Sequence, residues 1–141
     1  MNLLQIYALT AIVLALKMFA ISLAQGKARV AANKFVNPED AVTFKGQAAE
    51  EDAPDVLRAS RAWRNDLENI PIFLILAGIY VDAGLSTGAF AIYCGIFVVC
   101  RIVHTIAYLK SIQPLRTIIF TIGLLAMLAM IMHLLIAVVI A

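Results

Sequence analysis

"RASRAWRNDLENIPIFLILAGIYV", residues 58–81, joins two halves of opposite character in one stretch. The second half, residues 70–81, is continuously apolar, whereas the first half carries three arginines, an aspartate and a glutamate. A helix over the apolar half alone would rise about 18 Å, which is short of the roughly 30 Å hydrocarbon core of a bilayer. Part of the charged half must therefore enter the membrane, where charges are tolerated only when they face a paired or wet interior.

The composition of the whole chain indicates an integral membrane protein. Of its 141 residues 63% are hydrophobic and only 14% are charged, against about 25% charged in soluble domains. The net charge of +2, without a block of basic residues, argues against a nucleic-acid partner. Four apolar segments can each supply the roughly 20 residues of a spanning helix. The sequence predicts one all-α domain over residues 1–141, a four-helix bundle with helices at about 3–24, 58–81, 88–109 and 115–141.

The distribution of basic residues predicts the orientation of these helices. The first connection, residues 25–57, and the third, residues 110–114, hold Lys27, Arg29, Lys34, Lys45 and Lys110, whereas the second connection and both termini hold neither Lys nor Arg. Because cytoplasmic loops are enriched in Lys and Arg, we expect a multi-pass protein with both termini away from the cytoplasm. Lys17 and the lack of a basic leader argue against a cleaved signal peptide.

Polar residues cluster in three of the predicted helices, at the start of the second and fourth and at the end of the third. In the second segment the stripe follows an i, i+3, i+4, i+7 spacing, which places its members on one helix face: Arg61, Arg64, Asn65 and Glu68. The third segment, "CRIVHTIAYLK", repeats that spacing: Arg101, His104, Thr105 and Tyr108. The fourth opens with "PLRTIIFT", which contains Arg116 and Thr117. In the predicted topology the three stripes meet near the cytoplasmic face.

Two interpretations of this convergence remain open. Buried polar stripes can join helices as structural contacts, with an ion pair between Arg61 and Glu68 and with Arg101 bound to backbone carbonyls. Alternatively, the stripes form a ligand site. Arginines outnumber acidic residues in this zone, and the guanidinium fork suits carboxylates. The excess of cations therefore favours a site for a ligand that carries carboxylates.

Four segments of the sequence resemble the MAPEG family, the membrane-associated proteins of eicosanoid and glutathione metabolism: "RVAANKFVNPEDA", "RAWRNDLENIPIF", "RIVHTIAYL" and "PLRTIIF". The resemblance covers roughly residues 17–120. It implies a four-helix membrane fold assembled as a homotrimer. It also implies glutathione as cosubstrate, bound between neighbouring subunits near the cytoplasmic side, and a lipophilic electrophile or a lipid hydroperoxide as the second substrate. No metal is implied.

The resemblance also implies roles for single residues. The positions that match the family's glutathione site are Arg29, Arg64, Asn65, Glu68, His104, Tyr108 and Arg116. Arg116 falls where the family places the arginine that stabilises the glutathione thiolate, and Thr117 takes the place of a serine implicated in some prostaglandin synthases. Two positions depart from the family: Trp63 replaces a histidine, and Phe120 replaces a tyrosine of prostaglandin E synthase, which weakens a prostaglandin assignment.

Three functions are therefore considered. The first is a membrane-bound glutathione transferase that activates the thiol and adds it to lipophilic electrophiles, with reduction of lipid hydroperoxides as a related activity. The second is a glutathione-dependent isomerase of the prostaglandin E synthase type. The third is a non-enzymatic lipid-binding scaffold like the 5-lipoxygenase-activating protein. The presence of Arg64, Asn65, Glu68 and Arg116 favours an enzyme. Cys94 and Cys100 are interpreted as packing residues, His133 as a packing or interface residue, and Lys17 is expected to snorkel or to reach the subunit interface.

Overall fold

The computed structural model describes residues 1–140, and four long helices dominate it. In chain order the elements are α1 (Leu3–Ala32), β1 (Lys34–Phe35), α2 (Pro38–Thr43), β2 (Gln47–Ala48), α3 (Pro54–Asp82), α4 (Thr87–Leu109) and α5 (Gln113–Ile140). The predicted all-helical class is correct apart from the two short strands, which pair in parallel. The predicted end of the last helix at residue 141 lies outside the described residues.

The helices α1 and α3 are longer than the sequence analysis predicted. The prediction ended α1 near residue 24, because the apolar run ends there. The following residues are mostly Ala, Gln, Lys and Arg, which are good helix formers, so the helix continues to Ala32 and ends where Asn33 adopts a left-handed conformation with φ 52°. Similarly, α3 begins at Pro54 rather than at residue 58, since proline suits the first turn of a helix.

The connection between α1 and α3 is folded, although the sequence analysis treated it as a polar loop. The rings of Phe35 and Phe44 stack with centroids 5.3 Å apart, and Phe35 is almost completely buried. Gly46 passes so close that a Cβ atom there would lie 2.3 Å from the Phe35 ring, so only glycine fits. This packing ties β1, α2 and β2 into a small cap, which leads the chain into α3.

Aromatic and aliphatic side chains hold the long helices together. The rings of Phe73 and Phe97 stack at 3.8 Å between α3 and α4. At the end of the bundle opposite the charged half of α3, His133 Nδ1 lies 3.0 Å from the Tyr80 hydroxyl and 3.4 Å from the Tyr93 hydroxyl. His133 therefore packs between α3, α4 and α5 in this chain.

The outer faces of the bundle keep many large apolar side chains exposed, including Leu23, Ile75, Leu125 and Val138. In water such surfaces would be unfavourable, whereas lipid solvates them. Among the described helices, α1, α4 and α5 are long and apolar enough to cross a membrane. The helix α3 falls short of that criterion because its first half is charged. These surfaces and helices agree with an integral membrane protein.

Candidate functional site

A buried ionic group links α1, α3 and α4 at the base of the candidate site. Asp66 is completely buried, and both of its carboxylate oxygens are bonded. Lys17 Nζ donates to Oδ2, and Arg101 Nη2 donates to Oδ1 at 3.1 Å. Arg101 Nη2 also donates to the side-chain oxygen of Asn65. One carboxylate therefore compensates two buried cations, which would be very costly without it.

The sequence analysis did not identify this group. Asp66 entered only the balance of charges, Lys17 was expected to snorkel or to reach the subunit interface, and a contact of Arg101 with backbone carbonyls belonged to one of the two interpretations left open. In the structure the Lys17 nitrogen turns inward to Asp66, and Arg101 bonds to the side chains of Asp66 and Asn65. A signal was present: Asp66 lies on the helix face that Ala62 and Ile70 bury. A carboxylate on the apolar face of a membrane helix requires a cation beside it.

Beyond this group, the polar face of α4 is only partly satisfied. His104 is buried, and its ring lies 5.7 Å from the Tyr108 ring and 5.9 Å from the Phe120 ring. Within the described part of the chain, His104 Nδ1, Thr105 Oγ1 and Arg101 Nε are buried without a hydrogen-bond partner. A buried polar atom without a partner costs about 1–3 kcal/mol. Of these side chains, His104 also lines the candidate site, whereas Thr105 lines a separate cavity between α1 and α4.

Helices α3, α4 and α5 line an open cavity of ≈ 250 Å³ beside His104. Its lining consists of Asn65, His104, Tyr108, Arg116, Thr117 and Phe120. The guanidinium carbon of Arg116 lies 4.5 Å from the centroid of the Tyr108 ring, a distance typical of a cation–π contact. The structure therefore brings together five of the predicted site residues from three helices.

A second cavity of ≈ 310 Å³ adjoins the first and shares Tyr108 and Arg116 with it. Its other lining residues are Pro54, Leu57, Arg58 and Arg61. We call the two cavities together the cationic cleft. Its described lining contains arginines and no carboxylate. Arg116, which lies between the cavities, forms no ion pair with any residue of the range 1–140. An anion that enters the cleft can therefore pair with the Arg116 guanidinium, which no carboxylate of the described chain neutralises.

Three predicted site residues lie outside the cationic cleft. Arg64 and Glu68 are exposed on the side of α3 that faces away from the core, and neither forms a hydrogen bond or ion pair within the described chain. The ion pair considered between Arg61 and Glu68 is likewise absent there. The polar stripe of α3 is broad, so only the edge that contains Arg61 and Asn65 lines the cleft. Arg29, in the last turn of α1, is paired with Asp52 instead.

Comparisons with known proteins agree with the resemblance seen in the sequence. The sequence profile of the MAPEG family matches residues 7–136. Prostaglandin E synthase of Homo sapiens is 34% identical over 118 residues, which are 83% of this chain and 78% of that protein. Prostaglandin E synthase of Mus musculus is 36% identical over 108 residues, covering 77% and 71%. Microsomal glutathione S-transferase 1 of Homo sapiens is 39% identical over 112 residues, covering 76% and 72%.

Proposed function

Because the chain belongs to the MAPEG family, we propose that it is an integral membrane glutathione transferase that adds the thiol of glutathione to lipophilic electrophiles. The observation that carries the proposal is Arg116, which lies without a carboxylate partner between the two cavities of the cationic cleft. A relative named glutathione S-transferase and relatives named prostaglandin E synthase both support a glutathione-dependent reaction.

The chemistry of glutathione suits the cleft. The tripeptide has two carboxylates, an ammonium group, peptide groups and a thiol. Arg58 and Arg61 line the larger cavity, and their guanidinium forks can bind a carboxylate through two parallel hydrogen bonds. Asn65 and the Tyr108 hydroxyl can satisfy peptide groups, and His104 Nδ1 offers a further polar contact. The thiol then lies toward the smaller cavity, beside Arg116 and Thr117.

Arg116 would activate the thiol by stabilising its anion. A free thiol with a pKa of about 8.5 is only about 3% ionised at pH 7. The guanidinium keeps its proton in proteins, so it is a permanent positive partner, and such a charge at close range lowers an acid's pKa by about 1–3 units. The Thr117 hydroxyl can donate to the same sulfur. The thiolate then forms a bond to the electrophilic carbon, and the leaving group departs with the displaced electron pair.

We further propose that the site is completed in a homotrimer, with glutathione between neighbouring subunits. Arg29, Arg64 and Glu68 lie outside the cleft of their own protomer, so they can reach the ligand, Arg29 through one of its carboxylates, only from an adjoining subunit. Such an assembly would also shield the charged half of α3 and let it serve as the fourth membrane span. In this arrangement the cleft faces the cytoplasm, both termini face away from it, and lipophilic substrates enter from the bilayer.

The test is the ultraviolet absorbance of thiolate when the protein, purified in detergent, is titrated with glutathione. We expect wild type to show bound thiolate at pH 7, and Arg116→Ala to bind glutathione with most of that signal lost. Turnover of a chlorodinitrobenzene probe should fall at least about tenfold, with partial recovery as the pH rises toward the free thiol's pKa. The control is Lys110→Ala, which removes a cation from the end of α4 without altering the cleft lining.

Two results of this test would contradict the transferase proposal or the role of Arg116. A wild-type protein that neither binds glutathione nor turns over the probe refutes the transferase and favours a lipid-binding scaffold. An Arg116→Ala variant with an unchanged thiolate signal assigns activation to another group, such as Thr117.

The relatives named prostaglandin E synthase favour a second function, isomerisation of a prostaglandin endoperoxide. Because Phe120 lines the thiol end of the cleft without a hydroxyl, we expect this activity to be weak in wild type and to rise in Phe120→Tyr.

A further inference from the structure

Arg29 holds a carboxylate of its own chain in the geometry that a carboxylate ligand would adopt. Its Nε and Nη2 atoms donate to the two oxygens of Asp52, each at 3.2 Å. These are parallel bonds from one edge of the guanidinium, the bidentate pattern by which arginine binds free carboxylates. Asp52 therefore occupies the positions around Arg29 that a glutathione carboxylate would need.

We propose that Asp52 is an internal competitor that sets the affinity of the protein for glutathione. The inference rests on the proposed function, because it takes Arg29 as a ligand for a glutathione carboxylate. Asp52 and the incoming carboxylate cannot both occupy the same edge of the guanidinium. Binding must therefore displace Asp52, and the apparent affinity is the intrinsic affinity multiplied by the fraction of molecules in which Arg29 is free.

The position of the pair allows this exchange. The side chains of Arg29 and Asp52 are 31% and 18% exposed, and Asp52 lies in the irregular segment between β2 and α3. The pair is only partly buried, so it contributes modestly to stability, and the freed carboxylate would be hydrated again. The completely buried Asp66, by contrast, cannot leave its cations. Of the carboxylates that the described structure pairs with a cation, Asp52 is the one that can be displaced.

The first experiment compares two variants that each remove one negative charge from the same segment. In Asp52→Asn we expect the Kd for glutathione, measured by calorimetry on the detergent-solubilised protein, to fall about two- to fivefold, with kcat for the electrophile unchanged. Glu51→Gln is the control, because Glu51 forms no ion pair within residues 1–140. It should leave the Kd nearly unchanged.

A double-mutant cycle tests whether Asp52 acts through Arg29. In an Arg29→Gln background the gain from Asp52→Asn should vanish, because the guanidinium for which Asp52 and the ligand compete is no longer present. Four results overturn the inference while leaving the transferase proposal standing. These are weaker binding in Asp52→Asn, equal effects of Asp52→Asn and Glu51→Gln, a lowered Tm with an unchanged Kd, or a gain that persists without Arg29. Failure of the wild-type protein to bind glutathione refutes the proposed function itself.

Discussion

At the scale of single residues, the molecule contains two kinds of arginine. Arg101 is buried and donates hydrogen bonds to the side chains of Asp66 and Asn65. Arg116 is half-buried, contacts the Tyr108 ring and has no carboxylate within the described chain. The first kind balances a charge that the fold has already buried. The second kind leaves a charge for a ligand to balance, and we propose that this difference separates structural from functional cations here.

Removing Asp66 should be far more damaging than removing either of its partners. Asp66→Asn leaves Lys17 and Arg101 as neighbouring buried cations, and breaking a buried pair costs about 3–5 kcal/mol. Lys17→Met, of similar volume, leaves the pair of Asp66 and Arg101 intact and should cost less. Thermal unfolding in detergent measures the order. A Tm for Asp66→Asn equal to that of Lys17→Met would show that the Asp66 carboxylate is not what compensates the charges of Lys17 and Arg101.

At the scale of helices, periodicity predicted where polar residues cluster but not which side of the cluster meets the core. The stripes on α3, α4 and α5 do converge, at Asn65, His104 and Arg116. The spacing of residues 61, 64, 65 and 68 is equally compatible with an inward and an outward direction. Only the apolar positions of α3 decide it, and they place Asp66 rather than Arg64 toward the core. The number of charged residues alone could not distinguish the inward from the outward direction of the stripe.

The helix ends were predictable only where the apolar run coincides with the helix. For α4 it nearly does, and the predicted 88–109 agrees with Thr87–Leu109. For α1 it does not, because membrane insertion ends where apolar residues end, whereas helix formation continues through Ala, Lys and Arg. The pairing of Arg29 with Asp52 was equally beyond prediction, since it depends on how the connection between the helices folds.

The outward face of α3 should bind ligand without contributing to the stability of the protomer. We expect Arg64→Gln and Glu68→Gln each to weaken glutathione binding by about 1–3 kcal/mol, the usual cost of a polar group that loses its partner. Neither should lower the Tm in the absence of ligand, because neither side chain forms an ion pair within the described protomer that the substitution would remove. Calorimetric titration is the measurement, and Asp82→Asn, at the other end of the same helix, is the control. Unchanged affinity in both variants would show that Arg64 and Glu68 do not bind the ligand.

At the scale of the whole molecule, one protomer supplies only part of the proposed site. Its cationic cleft contains Arg58, Arg61 and Arg116, while Arg64 and Glu68 point away from it. In a closed ring of identical subunits, one face of each chain meets a different face of the next. A site shared in this way makes activity depend on assembly. Native mass spectrometry in mild detergent should therefore show trimers, and active monomers would exclude the shared site.

Complementation between two inactive variants tests the shared site directly. Arg64→Gln and Arg116→Ala should each have low activity alone, because every site in such a homotrimer lacks one of the two guanidinium groups. When both chains are co-expressed with different tags and mixed trimers are isolated, a site regains both groups if Arg64 comes from one variant and Arg116 from its neighbour. In a closed ring every mixed trimer has this arrangement at one of its three sites, so activity should rise toward about a third of wild type. If both residues act within one protomer, every site in the mixture still lacks one of them, and mixed trimers will be no more active than the parent variants.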